Sequence, residues 1–367
     1  MFLFITFCII LFIQTFYYLF LFGKFSFSKP SNNIKKTVPV SIIICAKNEA
    51  DNLKQFLPYI AKQIYPVFEI VLVNDASTDN SLKVMQDFKE KYASQNIFIK
   101  IITATSKQTL GKKEALQLGI RTAKYNHLLL TDADCKPIST HWIQEMTTCF
   151  SKQKSIILGY GAYQKIKNSF LNKIIRFETL LTAIQYFSYA KAKMPYMGVG
   201  RNIAYTKDLF FKTTGFNNHL NIPSGDDDLF IQQASNQQNT AVCFSEKSFT
   251  ISQSKTNLNE WIQQKRRHIT TSNHYKLTHK ILLSVFFLSQ LLFWLLAILL
   301  LFLQINLALT GILIAFRFLI WYIIIYKFSK QFLEKDLIVF APIFEISLIF
   351  MLLYISVKNI FSPLKQW

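Results

Sequence analysis

Cysteine, histidine and acidic side chains are all scarce in this chain of 367 residues, which has 5 Cys, 6 His and 21 Asp plus Glu against 41 Lys plus Arg. The cysteines (Cys8, Cys45, Cys135, Cys149, Cys243) are odd in number and form no C-x-x-C pair, so reduced thiols are expected, with neither a disulfide framework nor a structural zinc site. The histidines show no metal-ligand spacing. Charge is missing altogether from residues 1–22, "MFLFITFCIILFIQTFYYLFLF". No basic stretch precedes this run and no small-residue cleavage site ends it, which argues against a cleaved signal peptide. It reads as an uncleaved anchor, with Lys24, Lys29, Lys35 and Lys36 following on the cytoplasmic side.

Apolar residues, by contrast, are abundant: hydrophobic types make up 51% of the chain, with 35 Phe, which is high for a soluble protein. Beyond residue 280 lie three more apolar stretches, 281–303, 305–326 and 337–357, each near the ~20 residues of a spanning helix. The second contains Arg317 and the third Glu345, which a membrane tolerates only against a cavity, a partner or a headgroup. The resulting plan is an anchor at 1–23, a polar cytoplasmic domain at 24–280 and a C-terminal membrane region at 281–367. The formal charge of +20 sits mostly on scattered lysines of the middle part, without a basic helix or an aromatic RNA-binding pattern. A surface lying against anionic lipid explains that charge, and no nucleic-acid partner is expected.

The middle part opens with "VSIIICAKNEADNLKQFLPYIAKQ", a continuous apolar run, a polar turn and then a helical period. "FEIVLVNDASTDNSLKVMQDFKEKY" repeats the pattern, "IFIKIITA" and "GKKEALQLGIRTA" give it a third time, and "YNHLLLTDAD" supplies a fourth strand. Strands alternating with helices predict an α/β fold around a mostly parallel sheet, with ligands beyond the carboxyl ends of the strands. Asp75, Asp132 and Asp134 all fall at such ends, and Lys112 falls at a helix start. The aspartates of "TDADC" are two apart on an extended backbone, so both carboxylates leave the strand together. A hard divalent cation, Mg²⁺ or Mn²⁺, shared with the phosphates of a nucleotide answers that charge.

In this order the motifs resemble those of membrane-associated family 2 glycosyltransferases of GT-A fold, a family that includes ceramide glucosyltransferase and the polysaccharide synthases. The likeness runs from about residue 38 to residue 275. It implies donor contacts from Ala46, Asn48 and Glu49 in "CAKNEA", from Asp75 with Asp79 in "VNDASTDNS", and from Lys112 in "LGKKEAL". In "TDADC" it assigns Asp132 to the sugar nucleotide and Asp134 to the metal. "SGDDDLFIQQ" resembles the family's acidic catalytic motif, with Asp227 the best match to the general base and Asp226 and Asp228 beside it. The same triplet also suits a helix N-terminus. "WIQQKRRHITTS" approximates a Q-x-x-R-W motif, read either from Gln264 to Arg267 or from Gln263 to Arg266, with no tryptophan in either register. In "MGVGRNIAYTKDLF", Gly198 and Gly200 let the backbone approach a ligand, and Arg201 is a candidate for phosphate or acceptor contact. The resemblance implies an inverting, metal-dependent transfer from a nucleotide-sugar, with uridine the usual base, to a lipid or glycan acceptor at the cytoplasmic face of the inner (plasma) membrane. A processive polysaccharide synthase, a catalytically degenerate membrane scaffold and a nucleotidyltransferase are the alternatives.

Overall fold

The computed structural model describes residues 1–30, 37–95, 97–104, 111–222 and 224–362. Lys35 and Lys36 lie outside them. The chain divides into two compact units. One comprises Pro30–Lys167 and Lys193–Thr256; the other comprises Met1–Lys29, Asn168–Ala192 and Asn257–Lys365.

The first unit is α/β. Its strands are β1 (Val40–Ala46), β2 (Phe68–Asn74), β3 (Phe98–Thr103), β4 (His127–Leu130), β5 (Cys135–Pro137), β6 (Ile156–Leu158), β7 (Gly161–Tyr163), β8 (Ile203–Thr206), β9 (Thr240–Val242) and β10 (Thr250–Ser252). Seven of them form one sheet in the order β3-β2-β1-β4-β8-β6-β9. β1 pairs in parallel with both β2 and β4, setting Ile42 between Ile70 and Leu129. These strands are apolar without alternation because both faces of the sheet are covered. On one face Leu53, Leu57, Ile60, Met85, Trp142 and Met146 close over Ile42, Ile44, Ile70 and Leu72.

Beyond β4 the sheet departs from the repeated strand-helix pattern. β8 runs antiparallel to β4 and to β6, and β6 pairs in parallel with β9. A small second sheet, β5-β10-β7, begins immediately after the aspartate pair. The chain thus turns sharply between β4 and β5 instead of continuing into a covering helix.

Among the described residues, the second unit contains four helices long and apolar enough to cross a membrane: Phe2–Ser26, Leu277–Phe302, Leu307–Gln331 and Lys335–Phe361. Phe7, Ile10 and Leu11 of the first pack on Phe293, Leu296 and Leu300 of the second. The helix Phe170–Lys191 belongs to this unit, its buried Arg176 donating from Nη1 to Asp336 Oδ2 at 2.8 Å and from Nε to Glu334 Oε2 at 3.0 Å.

Arg317 and Glu345 meet inside this unit. Arg317 Nη1 donates to Glu345 Oε2 at 2.9 Å, its Nε to Gln14 Oε1 at 2.9 Å and its Nη2 to the Tyr18 hydroxyl at 3.0 Å. Gln290 Nε2 donates to Glu345 Oε1 at 3.1 Å. All four apolar helices contribute to this knot, and the rings of Phe293 and Trp321 lie 4.7 and 5.4 Å from the guanidinium carbon. Of the surroundings open to these two charges from sequence, the structure selects a partner.

Candidate active site

The carboxyl ends of β1 and β2 are fastened to each other by their loops. Asn48, at φ 57°, accepts through Oδ1 from the Thr78 backbone N–H at 2.8 Å and from its hydroxyl at 3.2 Å. The Glu49 N–H donates to Ser81 Oγ at 2.8 Å and the Ala50 N–H to Asp79 Oδ2 at 3.1 Å. The Ala46 carbonyl accepts the Asp75 N–H at 2.8 Å. Ala46, Asn48 and Glu49 therefore shape the rim, and the Asn48 carboxamide oxygen is spent on the neighbouring loop. Asp75 itself is buried, and its Oδ1 has no hydrogen-bond partner among the described residues. Burial, followed by an opposing Lys47 charge and a repelling Glu114, leaves its pKa raised. A buried carboxylate oxygen without a donor is costly, and it is relieved by a ligand N–H or O–H.

Lys112 joins the aspartate motifs that are far apart in sequence. Its Nζ lies 2.6 Å from Asp132 Oδ1 and 3.0 Å from Asp226 Oδ2. Gly200 sits against the same group, so that a Cβ added there would stand 3.5 Å from Lys112 Nζ and 3.6 Å from a carboxylate oxygen of each of Asp226 and Asp227. Its N–H donates to Asp227 Oδ2 at 2.7 Å, and Asp227 Oδ1 accepts from the Asp228 N–H at 2.8 Å. Asp228 starts the helix Asp228–Ala234 and is itself buried. Gly225, at φ 95°, makes the turn that delivers the triplet, a conformation in which a side chain would be strained.

The aspartates are electrostatically unequal. Burial opposes the charge of Asp226, but Lys112 more than offsets it and holds the carboxyl below its ordinary range. Burial and then the like charges of Asp226 and Asp228 push Asp227 up to about 8. Two neighbouring carboxylates driven apart in this way give one that stays charged and one able to exchange a proton near neutrality.

Asp132, Asp134 and Cys135 bring ligand atoms within 4.8 Å of one another. Asp134 makes no salt bridge among the described residues, and burial and then Asp132 raise its pKa. Burial and then Asp134 push the Cys135 thiol well above its ordinary value, and the two carboxylates supply the oxygen donors that hard cations prefer to sulfur. This donor set fits a hard divalent cation held by Asp134, with Asp132 shared between it and Lys112.

Arg201 lies over the Tyr163 ring, 4.2 Å from its centroid, and donates from Nη1 to Ser252 Oγ at 3.1 Å and to the Ala162 carbonyl at 3.2 Å. Its charge partly offsets the forces that raise Asp134. Gln264, Arg266 and Arg267 lie on the helix Leu258–Ser272 of the other unit. Arg266 is buried there, with Nε donating to Asn359 Oδ1 at 2.7 Å and Nη2 bonded to the Ser362 carbonyl. Tyr163, Ser252 and Lys113 took no part in the sequence reading. Each acts through a long-range contact, and the only signal in the sequence was the second lysine of "GKK".

Residues 41–211 match the family model Glycosyl transferase family 2. A poly-beta-1,6-N-acetyl-D-glucosamine synthase from Staphylococcus epidermidis is 28% identical over 95 residues, which are 26% of this chain and 21% of that protein. The synthase of the same name from Staphylococcus aureus is 28% identical over 106 residues, 29% of this chain and 24% of that protein. The matched stretch thus spans less than a quarter of these relatives' length. Among solved structures, the mannosyltransferase PcManGT from Pyrobaculum calidifontis, in complex with GDP-Man and Mn²⁺, aligns over 97% of this chain and 99% of its own, with a TM-score of 0.56 and 16% identity. That likeness is one of fold.

Proposed function

The chain carries a family 2 glycosyltransferase domain of GT-A fold, and from that premise we propose that it transfers a sugar from a nucleotide diphosphate donor, of which a UDP-hexose is the expected type, to a membrane lipid or lipid-linked glycan at the cytoplasmic face. The observation that carries this reading is the Lys112 bridge: one ammonium group draws the donor-side Asp132 and the acidic triplet around Asp227 into a single site.

In this reading the partnerless Asp75 Oδ1 accepts from a donor group of the nucleoside, and Lys112, oriented by Asp132, offers its ammonium group to the diphosphate end. A divalent cation bound at Asp134, Mn²⁺ or Mg²⁺, supplies charge neutralisation for the phosphates. Asp227 Oδ2, oriented by the Gly200 N–H, accepts the proton of the incoming hydroxyl. The acceptor oxygen forms its bond to the anomeric carbon from the far side while the bond to the diphosphate oxygen breaks, and that electron pair leaves with the nucleotide. Configuration inverts. Asp226 stays ionised beside Lys112 and does not compete for the proton.

The membrane unit favours the lipid acceptor. Arg317 and Glu345, the charges best suited to line a polymer conduit, are spent on each other and on Gln14, Tyr18 and Gln290. A second reading, processive polymer synthesis, draws on the names of the staphylococcal relatives. Labelled sugar supplied from a panel of nucleotide-sugars to the purified protein with membrane lipid extract tests the two. Label entering the organic phase as a single-sugar lipid is expected. Label in long polymer reverses the choice, and no incorporation from any donor overturns the proposal.

A further inference from the structure

The dipeptide Lys112-Lys113 divides two tasks between neighbouring side chains. Lys112 bridges Asp132 and Asp226, whereas Lys113 is buried and reaches a different stretch of chain, with the charges of the acidic triplet still near it. There its Nζ donates to the His219 carbonyl at 2.5 Å and to the Ile222 carbonyl at 2.8 Å. Both acceptors lie more than a hundred residues further along the chain, in the turn that leads to Gly225 and Asp226. Among its described residues, that segment has little regular structure beyond the short turn Asn217–His219. Its anchors are the buried Phe216 and His219 and the Lys113 ammonium.

We propose that Lys113 is a positioning residue, which sets the acidic triplet at its distance from the donor side of the site by clamping the 219–222 turn. This inference rests on the transferase reading above. The triplet is then held from three directions: Lys113 fixes the chain that enters it, Lys112 fixes the Asp226 carboxylate, and the Gly200 N–H fixes the Asp227 carboxylate. A lysine is suited to the clamp because one ammonium group carries three N–H donors and can serve two carbonyls at once. A displacement of Asp227 by about 1 Å costs catalysis on the order of a hundredfold without touching the nucleotide.

The test compares Lys113→Met, which keeps the length and loses the donors, with Lys113→Gln, which retains a smaller donor. Each is measured as full-length protein in detergent for UDP binding by titration, for kcat and donor KM, and for amide exchange of residues 213–222. Lys113→Met is expected to lower kcat by about tenfold to a hundredfold, with UDP affinity and donor KM held within about threefold and with faster exchange in that segment. Lys113→Gln is expected to fall between it and the parent, and it replaces Lys113→Met in the comparison if that variant does not fold. Unchanged kcat, or a parallel loss of UDP affinity and kcat, overturns the assignment. Failure of the parent protein to turn over any donor is a different result and removes the transferase reading instead.

Discussion

Two charge networks in this chain use similar side chains and end in opposite states. Among the apolar helices, Arg317 and Glu345 are satisfied by each other and by Gln14, Tyr18 and Gln290, and each of their charged atoms has a hydrogen-bond partner. In the α/β unit, Lys112 is shared between Asp132 and Asp226, while Asp75 Oδ1 has no partner and Asp134 no salt bridge among the described residues. A closed network fixes one packing of helices. An open one leaves a demand for hydrogen-bond donors and positive charge, which the proposed nucleotide and divalent cation would meet. The two also differ in exposure: the Arg317 and Glu345 side chains are shut off from water, whereas those of Lys112 and Asp132 are 40% and 30% exposed, so the open network is the one a ligand can reach.

Breaking the open network should cost turnover and leave the fold. Asp227→Asn is expected to lower transfer by about 10²- to 10⁴-fold with nucleotide binding retained, as read by product formation beside UDP titration. Breaking the closed network should do the reverse. Arg317→Met strands the Glu345 charge and is expected to cost about 3–5 kcal/mol of stability, whereas Arg317→Met with Glu345→Leu should recover most of it in thermal unfolding in detergent. Equal losses in the single and double variants would contradict the pairing.

The pH dependence sharpens the comparison further. With Asp227 held at about 8, the rate should climb with pH and level off above that value. The carboxyl of the unfolded chain titrates near ~3.9. The folded value is raised, so the stabilisation from its proton is complete below the unfolded value and is lost as pH rises through about 8. Asp227→Asn should therefore resist alkaline unfolding better than the parent protein. The smallest effect is expected from Asp75→Ala, a rise of about tenfold in donor KM, the cost of one hydrogen bond to a buried charged group, with kcat nearly unchanged.

The parallel half of the sheet was legible in the sequence because β1, β2 and β4 are mostly apolar runs, each followed by a polar turn. The "TDADC" pair was legible for the same reason: its place at a strand end follows from local pattern. What escaped depends on contacts between distant residues. The antiparallel β8 is four residues long and sits between a glycine-containing turn and a helix, so periodicity carries little weight there. The grouping of Phe170–Lys191 with the apolar helices depends on Arg176 meeting Glu334, 158 residues away. Arg317 and Glu345 were visible as misplaced charges, but their pairing needed the fold. Of the two registers possible for "QQKRR", the one ending at Arg266 finds that side chain bound to Asn359 and Ser362.

The central claim is that the open network is a metal-assisted donor site. It is tested most directly by nucleotide release from purified protein across a panel of UDP- and GDP-sugars with membrane lipid extract, with Mn²⁺, with Mg²⁺ and with chelator, beside Asp134→Asn. Release that needs the cation, is stimulated by lipid and is lost in Asp134→Asn is the predicted result. Release that persists in chelator and in Asp134→Asn would contradict it.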